Sequence, residues 1–285
     1  MRVAVHSRDF HPKSSRFIEK LLTLIKSHGA EVTVSDKIKK HFGTYFKSFD
    51  HKGGLSSVDY FVSVGGDGTL LESITYVGKH EIPVLGINTG RLGFLATISR
   101  EETDHAVGLM CEGKLKTDKR TLLKLSSNPK LFNGFSYALN DFTIMKKDTS
   151  SMITVHVYVD GELLNSYWAD GIIVATPTGS TGYSLSGGGP LVFPGTESLI
   201  ITPVSPHNLT ARPIVLSDKS EITFKIEGRS KKFLVSLDSR FETIDDSVTL
   251  KIKRASFKVR LLQMQNHSHF STLRQKLNWG VDIRN

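Results

Sequence analysis

The chain has 285 residues, enough for one large or two modest domains, since domains commonly have about 150 residues. Its single cysteine, Cys111, excludes a fold stabilised by intrachain disulfides and favours a reducing compartment. No apolar run approaches the roughly 18 residues of a membrane span, and the N-terminus lacks the apolar core of a signal peptide. We therefore expect a cytoplasmic protein without a membrane partner.

The net charge of +9 suggests a polyanionic partner, but its distribution argues against nucleic acid. Between Lys251 and Asn285 there are eight basic residues and one acidic residue, so this tail carries +7 of the charge. Residues 151–200 contain no lysine or arginine. Because no nucleic-acid-binding motif accompanies the basic tail, we expect no nucleic-acid partner.

Short apolar strands alternate with amphipathic helices in the first 115 residues. This pattern is typical of an open parallel sheet with flanking helices. Ser99 and Glu102 have the spacing of a capping box for the last of these helices. The predicted elements are a strand over 2–6, a helix around 17–25, strands over 31–34 and 58–64, a helix over 69–79, a strand over 82–88, and a helix that ends near 112.

The alternation of strands and helices stops after residue 116. The short strand-like segments that follow predict an all-β domain. Asp160-Gly161 has the composition of a hairpin turn. A final helix over 270–279 is expected to pack on the first domain. The sequence therefore predicts an N-terminal α/β domain over 1–115, to which 264–285 return, and a C-terminal β-rich domain over 116–263. The predicted strands of the second domain are 122–125, 136–139, 154–159, 172–175, 222–226, 233–237, 248–252 and 257–262.

The first concentration of glycine with polar side chains is GGDGT at residues 65–69, between the apolar strand that ends at Val64 and the next helix. In an open parallel sheet this place faces the ligand crevice. Glycine lets backbone amides approach phosphate oxygens, and the helix N-terminus adds partial positive charge. A carboxylate such as Asp67 would repel a phosphate, so its presence there suggests that it accepts a proton or binds a metal ion. The alternative is a tight turn in which Asp67 is an N-cap.

The second concentration, residues 169–194, contains glycines and hydroxyl side chains but no cation. Amides, hydroxyls and metal ions would hold any phosphate there. The alternative is a long surface loop, although unstructured loops of this length are usually functional or disordered. The third place is Asn140-Asp141, an amide and a carboxylate that end a predicted strand. By itself this pair is a generic turn.

These motifs, in this order, resemble the NAD kinase family, which phosphorylates the 2′-hydroxyl of the adenosine ribose of NAD to give NADP. GGDGT alone is shared with diacylglycerol, sphingosine and phosphofructokinase-like kinases, so the TPTGST block narrows the resemblance. The matching segments are GGDGT at 65–69, NTGRLGFLA at 88–96, Asn140-Asp141, ADG with TPTGSTGYSLSGGGP at 169–190, and ITPVSPHNLTARP at 201–213.

The resemblance implies an active site between the two domains, usually in a homodimer or homotetramer, with ATP as donor and Mg²⁺ or Mn²⁺ as cofactor. Asp67 would accept the proton of the ribose hydroxyl, and Asn140 and Asp141 would hold the adenosine ribose. The other residues it assigns to NAD are Gly68, Phe94, Asp170, Thr178, Thr181, Gly182, Tyr183 and Ser186. Those it assigns to ATP and its phosphates are Gly65, Gly66, Gly68, Thr69 and Arg91. We predict no metal ion held directly by side chains.

Three positions depart from the family pattern. Asp141 stands where many members have glutamate, and Gly182 where alanine is usual. Trp168 replaces a basic residue of many bacterial members, which leaves Arg91 as the nearest cation of a motif. Two other functions stay open: a lipid kinase of the diacylglycerol or sphingosine type, which needs an apolar cleft, and a dinucleotide sensor without catalysis.

Overall fold

The computed structural model describes residues 1–43, 46–90, 93–148 and 151–278. The chain divides into two compact units, Met1–Lys119 with Val259–Asn285 and Arg120–Lys258. The domain boundaries drawn from the sequence, after residues 115 and 263, stay a prediction about independently folding domains. Each unit is described by itself.

The first unit contains a parallel sheet with the strand order β17-β5-β4-β1-β2-β3. The strand β17 (Thr249–Gln263) joins it through its last residues, where Leu261 pairs with Val84. The other elements are β1 (Arg2–Ser7), α1 (Pro12–Ser27), β2 (Glu31–Ser35), α2 (Asp36–Phe42), β3 (Lys47–Phe49), β4 (Tyr60–Val64), α3 (Asp67–Val77), β5 (Val84–Ile87), α4 (Thr103–Cys111) and α6 (His269–Leu277).

The spacing of apolar residues in the sequence explains why these helices and strands form. The helix α1 buries Ile18, Leu21, Leu22 and Ile25, which lie three and four residues apart on one face. The strand β5 is buried at every residue, as expected for a parallel strand covered on both faces. The prediction of an N-terminal parallel sheet with helices is therefore confirmed.

Two elements of the first unit were not predicted, namely α2 and β3. Both are short, and α2 buries only Ile38, so neither gives a clear apolar period. The predicted capping box is present, since the Ser99 N–H donates to Glu102 and the Glu102 N–H donates to the Ser99 hydroxyl. The regular helix α4 begins at Thr103, the residue after Glu102.

The second unit is antiparallel throughout its described sheets. One sheet includes the order β10-β9-β14-β17, and the other has the order β13-β12-β11-β8-β15-β16. Its elements are β6 (Lys116–Asn128), β7 (Tyr137–Ala138), β8 (Asp141–Lys146), β9 (Ile153–Val159), β10 (Glu162–Ala169), β11 (Gly171–Ala175), α5 (Tyr183–Ser186), β12 (Ser198–Val204), β13 (Ile214–Ser217), β14 (Ile222–Glu227), β15 (Lys232–Leu237), β16 (Arg240–Asp245) and most of β17.

Both sheets of the second unit contribute to one apolar core. Phe142 of β8 and Phe224 of β14 meet in it, with ring centroids 5.6 Å apart. The predicted hairpin is confirmed, because Val159 pairs with Glu162 and both turn residues, Asp160 and Gly161, have positive φ angles. This is the backbone that an Asp-Gly pair favours.

Three details of the second unit differ from the sequence prediction. The strands predicted over 248–252 and 257–262 are one strand, β17, because the exposed polar residues between them continue the strand instead of forming a turn. Asp141 begins β8 and does not end a strand. Residues 169–194 are not a long loop, since they contain β11, a 3₁₀ turn over Thr178–Thr181 and α5.

Within the described residues, no helix has the length and apolar character needed to cross a membrane.

Candidate functional site

The GGDGT segment of the first unit forms the turn between β4 and α3, and two of its residues pack against each other. A side chain at Gly65 would lie 2.8 Å from Cβ of Thr69, too close for any residue but glycine. The Gly65 N–H donates to the carbonyl of Ile87 at 2.9 Å, which ties the turn to β5. Gly66 precedes the first helical residue, Asp67. The Thr69 N–H already donates to the Gly66 carbonyl at 3.0 Å, so the N–H groups that the turn can present to an anion are those of Gly66, Asp67 and Gly68.

The turn lies where the order of the parallel sheet reverses. From β1 the chain adds β2 and β3 on one side, and then β4 and β5 on the other. In open α/β sheets, ligands bind in the crevice at the carboxyl ends of the strands that flank such a switch point. The flanking strands here are β1 and β4, so the GGDGT turn and the residues that follow β1 both border the crevice.

The carboxylate of Asp67 is held by backbone amides of a second loop. The Phe94 N–H donates to Oδ2 at 2.8 Å, and the N–H groups of Leu95 and Ala96 donate to Oδ1 at 3.1 and 3.0 Å. A side chain at Gly93 would overlap this carboxylate. Asp67 is therefore not the N-cap of α3, as the alternative reading had it, and Phe94 is brought next to it. Oδ2 accepts only one of these backbone hydrogen bonds and can therefore accept another.

In the second unit, the turn of TPTGST packs directly on Asn140. The Thr176 N–H donates to the Asn140 carbonyl at 2.9 Å, and the Thr176 hydroxyl donates to the Leu139 carbonyl at 2.6 Å. A side chain at Gly179 would overlap the Asn140 backbone. A methyl group at Gly182 would lie 3.7 Å from Oδ2 of Asp141 and 3.9 Å from Nδ2 of Asn140. Two motifs that are separate in the sequence thus form one site.

Asp141 is only 7% exposed, and this burial is the main reason why its pKa is raised to about 7. The carboxylate of Asp238 raises the pKa further. At neutral pH, Asp141 therefore exists in both protonation states and can either donate or accept a hydrogen bond.

Asp238 is a functional candidate that the sequence analysis missed. It lies in the turn between β15 and β16 and accepts N–H groups from Leu139 (2.9 Å), Asn140 (2.7 Å) and Asp141 (3.3 Å). Its own N–H donates to the Asp141 carbonyl at 3.0 Å. Burial raises the pKa of Asp238 although these amide bonds oppose the rise. The only signal in the sequence is a polar Asp-Ser pair between apolar segments, which predicts a turn but not its contact with Asn140.

A buried cation also reaches the TPTGST turn. Arg120, on β6, donates to the Thr178 hydroxyl at 3.2 Å and is 3% exposed. Arg120 is 58 residues from Thr178 in the chain, so proximity to the motif in the sequence does not indicate it. The predicted NAD ligand Asp170 is paired with another cation, Lys146, at 2.5 Å.

The remaining predicted residues of the second unit lie in the 3₁₀ turn and α5. The Thr181 hydroxyl donates to the Thr178 carbonyl at 3.2 Å, and Tyr183 and Ser186 are exposed. Trp168 is half exposed, and its ring lies 4.3 Å from that of His207. Arg91 lies outside the described residues. Throughout the described ranges, no three His, Cys, Asp or Glu side chains are grouped so that they could hold a metal ion.

The first unit thus has a glycine turn at a sheet switch point with an acid beside it, and the second has an amide-rich turn around an Asn-Asp pair. These features define a phosphotransferase of the GGDGT type. The family model described as "ATP-NAD kinase N-terminal domain" matches residues 3–115, and "ATP-NAD kinase C-terminal domain" matches 139–264. The chain therefore belongs to the NAD kinase family, and the predicted enzyme class, an ATP-dependent kinase, is confirmed.

Relatives and solved structures agree with this assignment. The chain is 48% identical to an NAD kinase of Cytophaga hutchinsonii and 43% identical to one of Flavobacterium psychrophilum, in both cases over the whole of each chain. It is 26% identical to an NAD kinase from Archaeoglobus fulgidus solved in complex with ATP, with a TM-score of 0.76, covering 98% of this chain and 99% of that one. Yeast NADH kinase complexed with NADH has a TM-score of 0.90 at 22% identity, covering 99% and 89%, and supports the fold.

Proposed function

We propose that the chain transfers the terminal phosphate of ATP to the 2′-hydroxyl of the adenosine ribose of NAD, which yields NADP. The observation that carries this proposal is the packing of the TPTGST turn on Asn140 and Asp141. The side-chain amide of Asn140 and the carboxyl group of Asp141 both lie within 4 Å of where a methyl group at Gly182 would be. An amide and a carboxyl group so close together suit the paired hydroxyls of a ribose.

NAD is assigned to polar groups of the second unit. Asn140 and Asp141 hold the ribose, and the hydroxyls of Thr178 and Thr181 are available to the rest of the dinucleotide. The buried guanidinium of Arg120 fixes the Thr178 hydroxyl and adds positive charge beside it. Tyr183 and Ser186 supply a ring and a further hydroxyl. Asp170 also belongs to the NAD site in this proposal, with Lys146 as its counter-ion.

Asp67 is proposed as the acceptor of the ribose proton, with Gly68 and Phe94 beside the reacting group. Three amides hold its carboxylate in one place, and Oδ2 has capacity for one more hydrogen bond. The amides of Gly66 and Gly68 are assigned to phosphate oxygens. Gly65 and Thr69, whose own N–H groups donate to the carbonyls of Ile87 and Gly66, belong to the ATP site as residues that shape the turn, and Arg91 stays a predicted phosphate ligand.

A divalent ion, Mg²⁺ or Mn²⁺, fits this site only if it arrives on the triphosphate. The described residues offer no group of three metal-ligating side chains, and Mg²⁺ commonly keeps its waters and binds through substrate phosphates. When bound, such an ion would neutralise charge on the transferred phosphate. The protein's own contribution is to position the ribose hydroxyl and the phosphates and to accept the proton.

The test is an assay of the purified chain with ATP, Mg²⁺ and NAD, in which NADP is detected by an NADP-specific dehydrogenase. We expect NADP to form only when all three are present. Asp67→Asn serves as the matched catalytic control. Binding of NAD without turnover would favour a sensor, and turnover of diacylglycerol in place of NAD would favour a lipid kinase.

We also propose a cytoplasmic enzyme that works as a homodimer or homotetramer, without nucleic-acid or membrane partners. The single cysteine and the basic C-terminal segment, suited to a subunit-facing surface, support this proposal. Light scattering of the purified chain would give the number of subunits.

A further inference from the structure

Three charged side chains form a compact group beside the GGDGT turn, which we call the Arg8 cluster: Arg8, Lys37 and Glu72. The Arg8 Nε lies 3.1 Å from Oε2 of Glu72, and the Lys37 Nζ lies 2.5 Å from its Oε1. Both cations remain about half exposed, while Glu72 is largely buried. The cluster therefore presents cationic groups to solvent over a buried carboxylate.

The cluster lies at the sheet switch point. Arg8 directly follows β1, Lys37 is the second residue of α2 after β2, and Glu72 is on α3. The Arg8 Nη1 is 3.4 Å from the carbonyl oxygen of Gly68, and a methyl group at Gly68 would lie 3.6 Å from the same nitrogen. A guanidinium thus borders the glycine turn whose amides face the crevice.

The charges of the cluster do not cancel. Burial opposes the charge of Glu72, but the nearby His6 ring, 3.7 Å away, and the hydrogen bond from Lys37 prevail and lower its pKa to about 2. Burial lowers the pKa of His6, so this ring is neutral at pH 7. Within the cluster, two cations therefore face one carboxylate.

Both cations of the cluster stay accessible to solvent although they pair with Glu72. Arg8 also has unused capacity, since within the described part of the chain its Nη2 makes no hydrogen bond. An arginine with free N–H groups in a fork is suited to two oxygens of one phosphate group.

We propose that Arg8, supported by Lys37, binds the phosphate groups of the nucleoside triphosphate donor at the GGDGT turn. Glu72 acts as a positioning residue that holds both cations at the crevice. This inference rests on the proposed kinase function and assigns donor-binding cations outside every motif of the sequence analysis.

The test is to measure KM and kcat of Arg8→Ala with ATP and NAD varied separately. We expect kcat/KM for ATP to fall about 10- to 150-fold, the size of one charge-assisted hydrogen bond, and KM for NAD to stay unchanged. Arg8→Lys keeps the charge without the fork and should give a smaller loss. The rise in melting temperature on adding ATP should shrink in Arg8→Ala, which reports binding without turnover.

Arg2→Ala is the matched control, because Arg2 lies at the other end of β1, is similarly exposed and pairs with Glu31 at 3.3 Å. It should keep the wild-type KM for ATP. Glu72→Gln separates binding from structure: if Arg8 serves only to neutralise Glu72, the Arg8→Ala effect disappears in the Glu72→Gln background. That result, or an unchanged KM for ATP and ATP-induced shift in Arg8→Ala, overturns the proposal. Formation of NADP by the wild-type chain in the same experiment keeps the proposed function separate from this outcome.

Discussion

Replacing Asp141 by asparagine should stabilise the protein above neutral pH. The Asp141 carboxyl is buried near a second acid, Asp238, and its pKa is raised from 3.8 to about 7. The folded chain therefore keeps a proton that the unfolded chain releases near pH 4. Between pH 4 and about pH 7 the folded state binds more protons than the unfolded state, so the free energy of unfolding falls as the pH rises. Asparagine has a similar shape and no charge, which removes this dependence.

The size of the effect follows from the two pKa values. Each pKa unit corresponds to about 1.4 kcal/mol, so the shift from 3.8 to about 7 gives a penalty of about 4 kcal/mol above pH 7. At pH 4 the penalty is absent. With an unfolding entropy of about 2.1 cal/mol/K per residue, about 4 kcal/mol corresponds to a rise in Tm of about 7 °C for Asp141→Asn at pH 8.

The assay is urea denaturation and thermal melting of wild type and Asp141→Asn from pH 4 to pH 9. The two curves should meet near pH 4 and separate as the pH approaches 7. Asp245→Asn, an exposed acid at the end of β16, is the control and should show no gain at high pH. Equal stability of wild type and Asp141→Asn at pH 5 and pH 9 would refute the reasoning from burial.

The same variant tests the role of Asp141 toward NAD. An ionised carboxylate accepts hydrogen bonds from hydroxyls more strongly than a neutral one. The wild-type KM for NAD should therefore fall as the pH rises through 7, and Asp141→Asn should lose this dependence. Asp141→Ala should raise the KM for NAD more than it lowers kcat, since a ribose ligand acts in ground state and transition state alike. A large loss of kcat at an unchanged KM would contradict a ribose-holding role.

Three other predictions concern residues around the two acids. Asp67→Asn should lower kcat by about 10²- to 10⁴-fold and also lower Tm, because an amide nitrogen cannot accept a loop N–H; unchanged kcat would leave Asp67 a structural residue. Gly182→Ala should keep the KM for NAD near the wild-type value, because a methyl group there would lie 3.3 Å from the Gly179 carbonyl oxygen and at ordinary distances from Asn140 and Asp141. Gly179→Ala should lose NAD binding, because its methyl group would overlap backbone. Equal KM values for the two variants would exclude the TPTGST turn from the NAD site. Asp238→Asn should lower the pKa of Asp141 and move the stability profile to lower pH; an unmoved profile would show that burial alone sets that pKa.

Local signals in the sequence predicted the fold class and the best-defined turns. The parallel sheet follows from apolar strands separated by one-faced helices such as α1. The β9–β10 hairpin follows from Asp160-Gly161, because both residues accept positive φ angles. These features depend on residues close together in the chain, so the pattern contains the needed information.

Local pattern misled where an exposed polar pair interrupts a strand. Lys253 and Arg254 both lie exposed in the middle of β17, which breaks the alternation of apolar and polar residues. Arg254 is held there by Asp218, a buried carboxylate 36 residues earlier in the chain. A reading that depends on alternation divides such a strand in two.

Contacts between distant residues explain what the sequence could not predict of the candidate site. Asp67 binds amides 27 to 29 residues away, and Asp238 binds amides 97 to 99 residues away. Arg8 meets Gly68 across 60 residues. In each case a sequence motif identifies one residue of the contact, and only the folded structure identifies the other. The placement of Asp67 in a glycine turn was predicted, but the loop that it holds was not.

Asp67 in the first unit and Asp238 in the second each accept three backbone amides, and this limits what can bind a phosphate. The three amides that Asp67 accepts, at Phe94 and the two following residues, point at that carboxylate and are not directed to a ligand. On the proposed function, this leaves the donor's phosphates to the amides of the GGDGT turn, to metal ions and to cations outside the motif. Since the described part of the crevice places Arg8 within 3.4 Å of Gly68, the charge required for phosphoryl transfer can come from the residue that follows the first strand.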